Sequence, residues 1–373
     1  MDGDGCSAEN GRTLEMVARR GCRPPFATLA VVGVVLSGCG APVEQAAAPD
    51  AAPFAGLLQC ADAPFIGAVI GLTEEGSRKT RNGELASTDI YGIRPDGSAV
   101  PVSRDLGSYD FGLSADATTL YARPDPERPN DVSSLTVPDQ ILAIDTRSER
   151  RTVLLTAPGA DLSRLTPSPD GSQLAVAAVT EAQLETGSGA HVAFVSLDPP
   201  SKLSWAPGDD PSALLYVGSL AWRADGRSLG YASLIADGYE LRILDLDTGQ
   251  DRVLYQGVGN PISLDWSSDG GLILVEEAGI DESNLALARA REVSVDSGAS
   301  QIVMEGPAAE LKYAAADASR IVLFDEQDGG TVVAQAWTRA DDGTFELTSS
   351  APFGQDVGLI GVSRPSFARC ALA

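Results

Sequence analysis

Five segments of this chain share one pattern: an aspartate followed by a small residue, with apolar residues at fixed distances on either side. They are FGLSADATTLYA around Asp116, LTPSPDGSQLAV around Asp170, LAWRADGRSLGY around Asp225, LDWSSDGGLILV around Asp269 and YAAADASRIVLF around Asp317. Four residues after the aspartate stands Leu120, Leu174, Leu229, Ile273 or Ile321, and two further on Ala122, Val176, Tyr231, Val275 or Leu323. Five residues before it the first four copies carry Phe111, Leu165, Leu220 and Leu264, while the fifth is slipped, with Leu311 and Tyr313 nearby. Alternating apolar positions on both sides of an aspartate turn describe a hairpin of two strands. Such a repeat governs the fold, because one hairpin cannot bury its apolar face without neighbours of the same kind.

A second piece recurs between the copies, an apolar strand that ends in Asp and a turn. DIYGIRPDGS from Asp89, ILAIDTRSER from Ile141 and ELRILDLDTGQ from Glu240 are examples, each followed by another short apolar run. The unit therefore has four strands, and the aspartate spacings of 54, 55, 44 and 48 residues suit one propeller blade with variable loops. No long 3.6-residue periodicity interrupts this between Cys60 and Cys370, so the domain is expected to be all-β. The run from Pro64 to Leu72 resembles a second strand without its first, and the run from Gly358 to Phe367 a first strand without its second. Pairing the two ends closes a six-bladed β-propeller and leaves no large open edge; seven blades is the alternative.

The alternation of SPDG-type turns with IYxIxPDG-type turns resembles the repeat of the TolB-type β-propellers. LTPSPDGSQLAV at 165–176 and DIYGIRPDGS at 89–98 carry the resemblance, which covers most of residues 60–370. It implies a scaffold whose partners are other envelope proteins meeting one face of the ring. The repeat serves binding proteins and enzymes alike, so it speaks for fold more than for activity. The chain departs from the TolB pattern in showing no separate N-terminal α/β domain and in carrying a lipoprotein signal.

That signal lies in residues 16–38. Arg19, Arg20 and Arg23 precede an uncharged apolar run from Phe26 to Leu36, too short for a permanent membrane span, which ends in Leu36-Ser37-Gly38-Cys39. The ending resembles a bacterial lipobox, which makes Cys39 the lipidated residue. Residues 1–15 are acidic and unlike an export leader, so Met16 is read as the true start. Residues 39–59, rich in Ala and Pro, are read as a flexible tether, and 60–373 as the propeller. With Cys6 and Cys22 removed and Cys39 lipidated, Cys60 and Cys370 remain. An oxidising envelope makes them a natural disulfide across the ring closure, two free thiols being the alternative.

The chain carries 27 Lys and Arg against 52 Asp and Glu, a formal charge of -25, which removing residues 1–38 leaves unchanged. So acidic a chain repels phosphates and anionic head groups, which argues against nucleic acid and leaves the lipid as its hold on a membrane. A single histidine, His191, cannot build a multi-histidine metal site, so no cofactor is expected. Asp245, Asp247 and Asp251 alternate like a calcium loop but lack its closing glutamate, which makes them a weak metal candidate; a side chain-to-backbone turn explains them as well. The repeat aspartates Asp116, Asp170, Asp225, Asp269 and Asp317 are read as structural. Trp222 and Trp266 occupy the same repeat position and are read as core or channel packing. No Gly-x-Ser-x-Gly elbow is present. The expectation is a monomeric, non-enzymatic scaffold, anchored to a bacterial membrane, that binds envelope proteins or a small ligand at one propeller face. The alternative is a carboxylate-based hydrolase or lyase acting on a carbohydrate or lactone at the channel mouth. Converging carboxylates with Arg and Trp in a deep pocket would favour the enzyme.

Overall fold

The computed structural model describes Pro53, Phe54, Leu57 and residues 63–367, apart from 81–82, 105, 108–109, 125–137, 186–188, 200, 208–215, 268–269, 281–285, 308–310, 318 and 327–330. Cys39, Cys60, Cys370 and Asp269 lie outside the described residues.

Six antiparallel sheets of four strands follow one another along the chain. Blade two holds β4 (Asp110–Leu113), β5 (Thr119–Arg123), β6 (Asp139–Asp145) and β7 (Arg151–Ala157). Blade three holds β8 (Ala160–Pro167), β9 (Gln173–Thr180), β10 (His191–Ser196) and β11 (Leu203–Trp205), with a short helix α1 (Glu181–Glu185) between its second and third strands. Blade four is β12 (Tyr216–Trp222), β13 (Ser228–Ile235), β14 (Gly238–Asp245) and β15 (Gln250–Gly257). Blade five is β16 (Asn260–Trp266), β17 (Leu272–Ile280), β18 (Ala286–Val293) and β19 (Ser300–Pro307). Blade six is β20 (Leu311–Asp317), β21 (Arg320–Glu326), β22 (Val332–Arg339) and β23 (Phe345–Phe353). Blade one joins the two ends: β24 (Leu359–Phe367) pairs with β1 (Gly67–Thr80), followed by β2 (Gly83–Ile93) and β3 (Ala99–Ser103). The first strands β4, β8, β12, β16 and β20 and the last strand β24 touch one another in turn and close a ring. This is the six-bladed propeller expected from the repeat, closed as the two half-blades required.

The apolar positions of the repeat explain why the blades stack. Every residue four or six places after the repeat aspartate is buried, as are Phe111, Leu165, Leu220 and Leu264 five places before it. They fall into five of six apolar clusters, one between each pair of neighbouring blades; the sixth, between blades six and one, is built from other residues. A fully buried Leu or Ile contributes about 1.5–3 kcal/mol, so each blade is held chiefly by its neighbours. Trp222 and Trp266 add directed bonds: their indole N–H groups donate to the carbonyls of Thr166 and Ala221, each 2.9 Å away on the innermost strand of the preceding blade. Gly112 lets two such strands approach, since a methyl there would meet the Leu165 carbonyl oxygen at 2.5 Å and Pro167 Cδ at 2.7 Å.

Bulges recur where the sequence shows no sign of them. The outer strand slips against its neighbour between Tyr91 and Ile90, Ile141 and Leu142, Leu241 and Arg242, Ala290 and Arg291, and Ala336 and Trp337. A bulge twists an exposed edge and spoils it for pairing with another sheet. Phe54, inside the stretch read as tether, is buried against blades six and one, with Leu57 half-buried beside it. Among the described residues no helix is long and apolar enough to cross a membrane.

Candidate functional site

Strands alternate in direction within each blade, so all innermost strands start at one rim of the ring and all repeat turns lie at the other. At the turn rim the aspartates bind their own backbone. Asp116 Oδ1 accepts from the Ser114 hydroxyl at 2.7 Å and the Thr118 amide at 3.1 Å. Asp170 Oδ1 accepts from the hydroxyl of Ser168 and from both the amide and hydroxyl of Ser172. Asp225 Oδ1 accepts from the Arg227 amide at 2.9 Å. Asp317 differs: it is the last residue of β20 and pairs with Arg320, so it belongs to the ladder rather than to the turn. Ala316 opposes Ile321 there, where Trp222 opposes Leu229 in blade four, and this tighter hairpin accounts for the slipped fifth copy.

The weak metal candidate is not brought together. Asp245 Oδ1 accepts from the amide and hydroxyl of Thr248, Asp247 pairs with Arg227, and Asp251 accepts from Tyr231 Oη at 2.5 Å and faces Arg242. His191 is buried at the head of β10, its ring edge-on to Trp205 at 6.2 Å.

The rim where the innermost strands begin carries the dense charge. Arg123, at the end of β5, donates from Nε to Asp139 at 3.0 Å and from Nη2 to Asp161 at 2.6 Å, and its Nη1 lies 3.9 Å from Asp110. Asp139 also accepts the Leu162 amide at 2.7 Å, and Asp110 the Arg164 amide at 3.2 Å. Burial works against the Arg123 charge, but Asp139, Asp161 and Asp110 outweigh it and raise its pKa. A second cluster joins blades four and five: Tyr239 Oη donates to Glu276 at 2.5 Å, and Arg291, stacked over Tyr255, donates to the other oxygen at 3.1 Å. Burial and then the Glu276 carboxylate push the Tyr239 phenol far up. Carboxylates and arginine thus converge at the rim, but the carboxylates of these two clusters already have partners, and Trp222 and Trp266 are tied into the blade interfaces. Sequence reasoning could not find these residues. Asp110, Arg123, Asp139 and Asp161 lie at strand ends spread over about fifty residues and meet only when the ends of four strands meet.

No protein-family profile matches the chain, and no curated protein is detectably similar to it. Solved structures do resemble it. TolB from Acinetobacter baumannii is 15% identical, with a TM-score of 0.56 over 82% of this chain and 67% of that one. A chain of a nidogen/laminin complex is 9% identical, with a TM-score of 0.55 over 82% of this chain and 99% of that one. An oligogalacturonate lyase in complex with manganese is 11% identical over 76% of this chain and 78% of that one; its TM-score of 0.48 carries no argument about chemistry. At these identities the likeness establishes the propeller fold and nothing finer.

Proposed function

We propose that the chain is a non-enzymatic binding module of the bacterial cell envelope, lipid-anchored through Cys39, whose inner-strand rim meets a partner protein. The carrying observation is that the carboxylates of the two rim clusters, Asp110, Asp139 and Asp161 in one and Glu276 in the other, are already bound to Arg123, Arg291 or Tyr239, which makes a fixed charged surface rather than a free acid and base. A preformed, internally satisfied polar surface suits recognition, where rigid groups lose little freedom on binding. Supporting this, one propeller of similar fold stands in a nidogen/laminin complex. In this reading Cys60 and Cys370 form a disulfide across the closure, the propeller itself is monomeric, and it makes no contact with nucleic acid.

The test is in-cell photocrosslinking from a probe placed at Asp161, whose side chain is partly exposed at the rim. Defined adducts with envelope proteins are expected, and Cys39→Ala should move the protein from the membrane to the soluble envelope fraction. Adducts absent from rim positions, with turnover of an oligosaccharide or lactone by the purified chain, would overturn the reading in favour of the carboxylate enzyme. Membrane association unchanged in Cys39→Ala would remove the anchor alone.

A further inference from the structure

Arg164 stands apart from the other charged side chains of this rim. It sits at the bulge of β8 with its backbone in the left-handed region, at φ 58°. Ala117 and Glu149, the other non-glycine residues with positive φ among those described, lie in short connections at the turn rim, where such a backbone closes a turn. Arg164 lies inside an innermost strand, where no turn requires it. Its amide is fixed to Asp110 of blade two, and its guanidinium lies 5.3 Å from the centre of the Tyr216 ring at the start of blade four. Among the described residues that guanidinium forms no ion pair, and its Nε is shut off from solvent without an acceptor. Arg123, Arg242, Arg291 and Arg339 each hold a carboxylate.

A strained backbone, a fixed planar cation and unused donors therefore coincide at one half-buried residue. We propose that Arg164 anchors a carboxylate of the ligand bound at this rim. The guanidinium fork matches a carboxylate with two parallel hydrogen bonds. A phosphate dianion fits less well, because Asp110 and Asp161 stand nearby and Arg123 is already occupied by them. The proposal deepens the binding-module reading and rests on it for a ligand at this rim.

The test follows the arginine Nε–H resonances of the purified full chain by NMR, with the Arg164 signal assigned by its disappearance in Arg164→Lys. Four probes are titrated: succinate, a hexa-alanine peptide with a free C-terminus, the same peptide amidated, and inorganic phosphate. The expected result is a saturable shift of the Arg164 signal with a carboxylate probe and none with the amide. Arg164→Gln should weaken that binding at least about tenfold while the urea midpoint of Arg164→Lys stays unchanged. A response to the peptide acid alone assigns a chain end as the source; a response to succinate as well assigns any carboxylate. No saturable shift, equal binding of the amide, or tighter binding of phosphate overturns the anchor. A flat titration with rim crosslinks intact would sink only the anchor, and a saturable titration without crosslinks only the scaffold.

Discussion

Asp170 shows how much one side chain contributes at a propeller turn. Its Oδ1 accepts three hydrogen bonds, and the Ser168 hydroxyl and then the Ser172 amide hold its carboxyl below the usual 3.8. Asp96, Asp145, Asp245 and Asp342 are lowered by neighbouring Ser or Thr in the same manner. A depressed folded-state pKa adds stability that is complete above the unfolded value and disappears as pH falls through the folded one. The urea midpoint should therefore hold at mildly acidic pH and decline below about 4, with a shallower decline in Asp170→Asn. Asp170→Ala should cost about 1 kcal/mol at neutral pH, read from the same titration. Tyrosines act at the other end of the scale. Burial pushes Tyr91 up to about 12, and Tyr239 is raised further. A raised phenol gives stability present below the unfolded value near 10 and lost as pH rises toward the folded one. Stability should fall above about pH 10, and Tyr239→Phe should both lose about 2 kcal/mol at neutral pH and flatten that alkaline limb.

At the level of strands, neighbouring blades meet through their innermost members, and two residues there set the spacing. Gly112 of β4 faces the Leu165 carbonyl and Pro167 of β8, so Gly112→Ala should force the blades apart and cost about 1–3 kcal/mol in urea unfolding. Trp222→Phe keeps the ring but leaves the buried Thr166 carbonyl without its donor, and should cost about 1–2 kcal/mol. If Gly112→Ala unfolds at the wild-type midpoint, β4 has room that the contact distances deny. These positions also mark the boundary of what the sequence reveals. The repeat is legible because each copy must bury the same offsets, Leu120 or Leu174 or Leu229, against the next blade. Trp222 and Trp266 announce themselves by their shared place in it. The bulges leave no trace, because a slipped register changes pairing without changing residue type. The Arg123 cluster is hidden for a related reason: its carboxylates are drawn from strand ends that no sequence period links.

On the scale of the whole ring, stability depends on one seam, where blade six meets the blade built from both ends of the chain. Beside it, within blade one, β24 pairs with β1, with Gly67 opposite Phe367 and Gly71 opposite Val362. Phe54 lies over the same seam. Its ring centre is 6.2 Å from that of Phe324 and 5.6 Å from that of Phe353, both of blade six, and its cluster includes Ile66, Val69 and Ile93 of the N-terminal side. Gly97 accepts the ring closely, since a methyl there would stand 3.2 Å from it. A residue so far upstream of the first strand, yet buried on both sides of the closure, fastens the ends together much as a bridging bond would. Removing it leaves a cavity between blades rather than at the surface, so Phe54→Ala should cost about 3 kcal/mol. The loss should fall on closure, which a double-mutant cycle with Phe353→Ala resolves: the pair should couple by roughly 0.5–1.5 kcal/mol. Deleting residues 359–373 removes β24 itself and exposes the edge of β1, so that variant should lose cooperative unfolding and aggregate. Additive effects of Phe54→Ala and Phe353→Ala would mean that Phe54 merely covers the seam, and the burden of closure would then rest on the β24–β1 ladder alone.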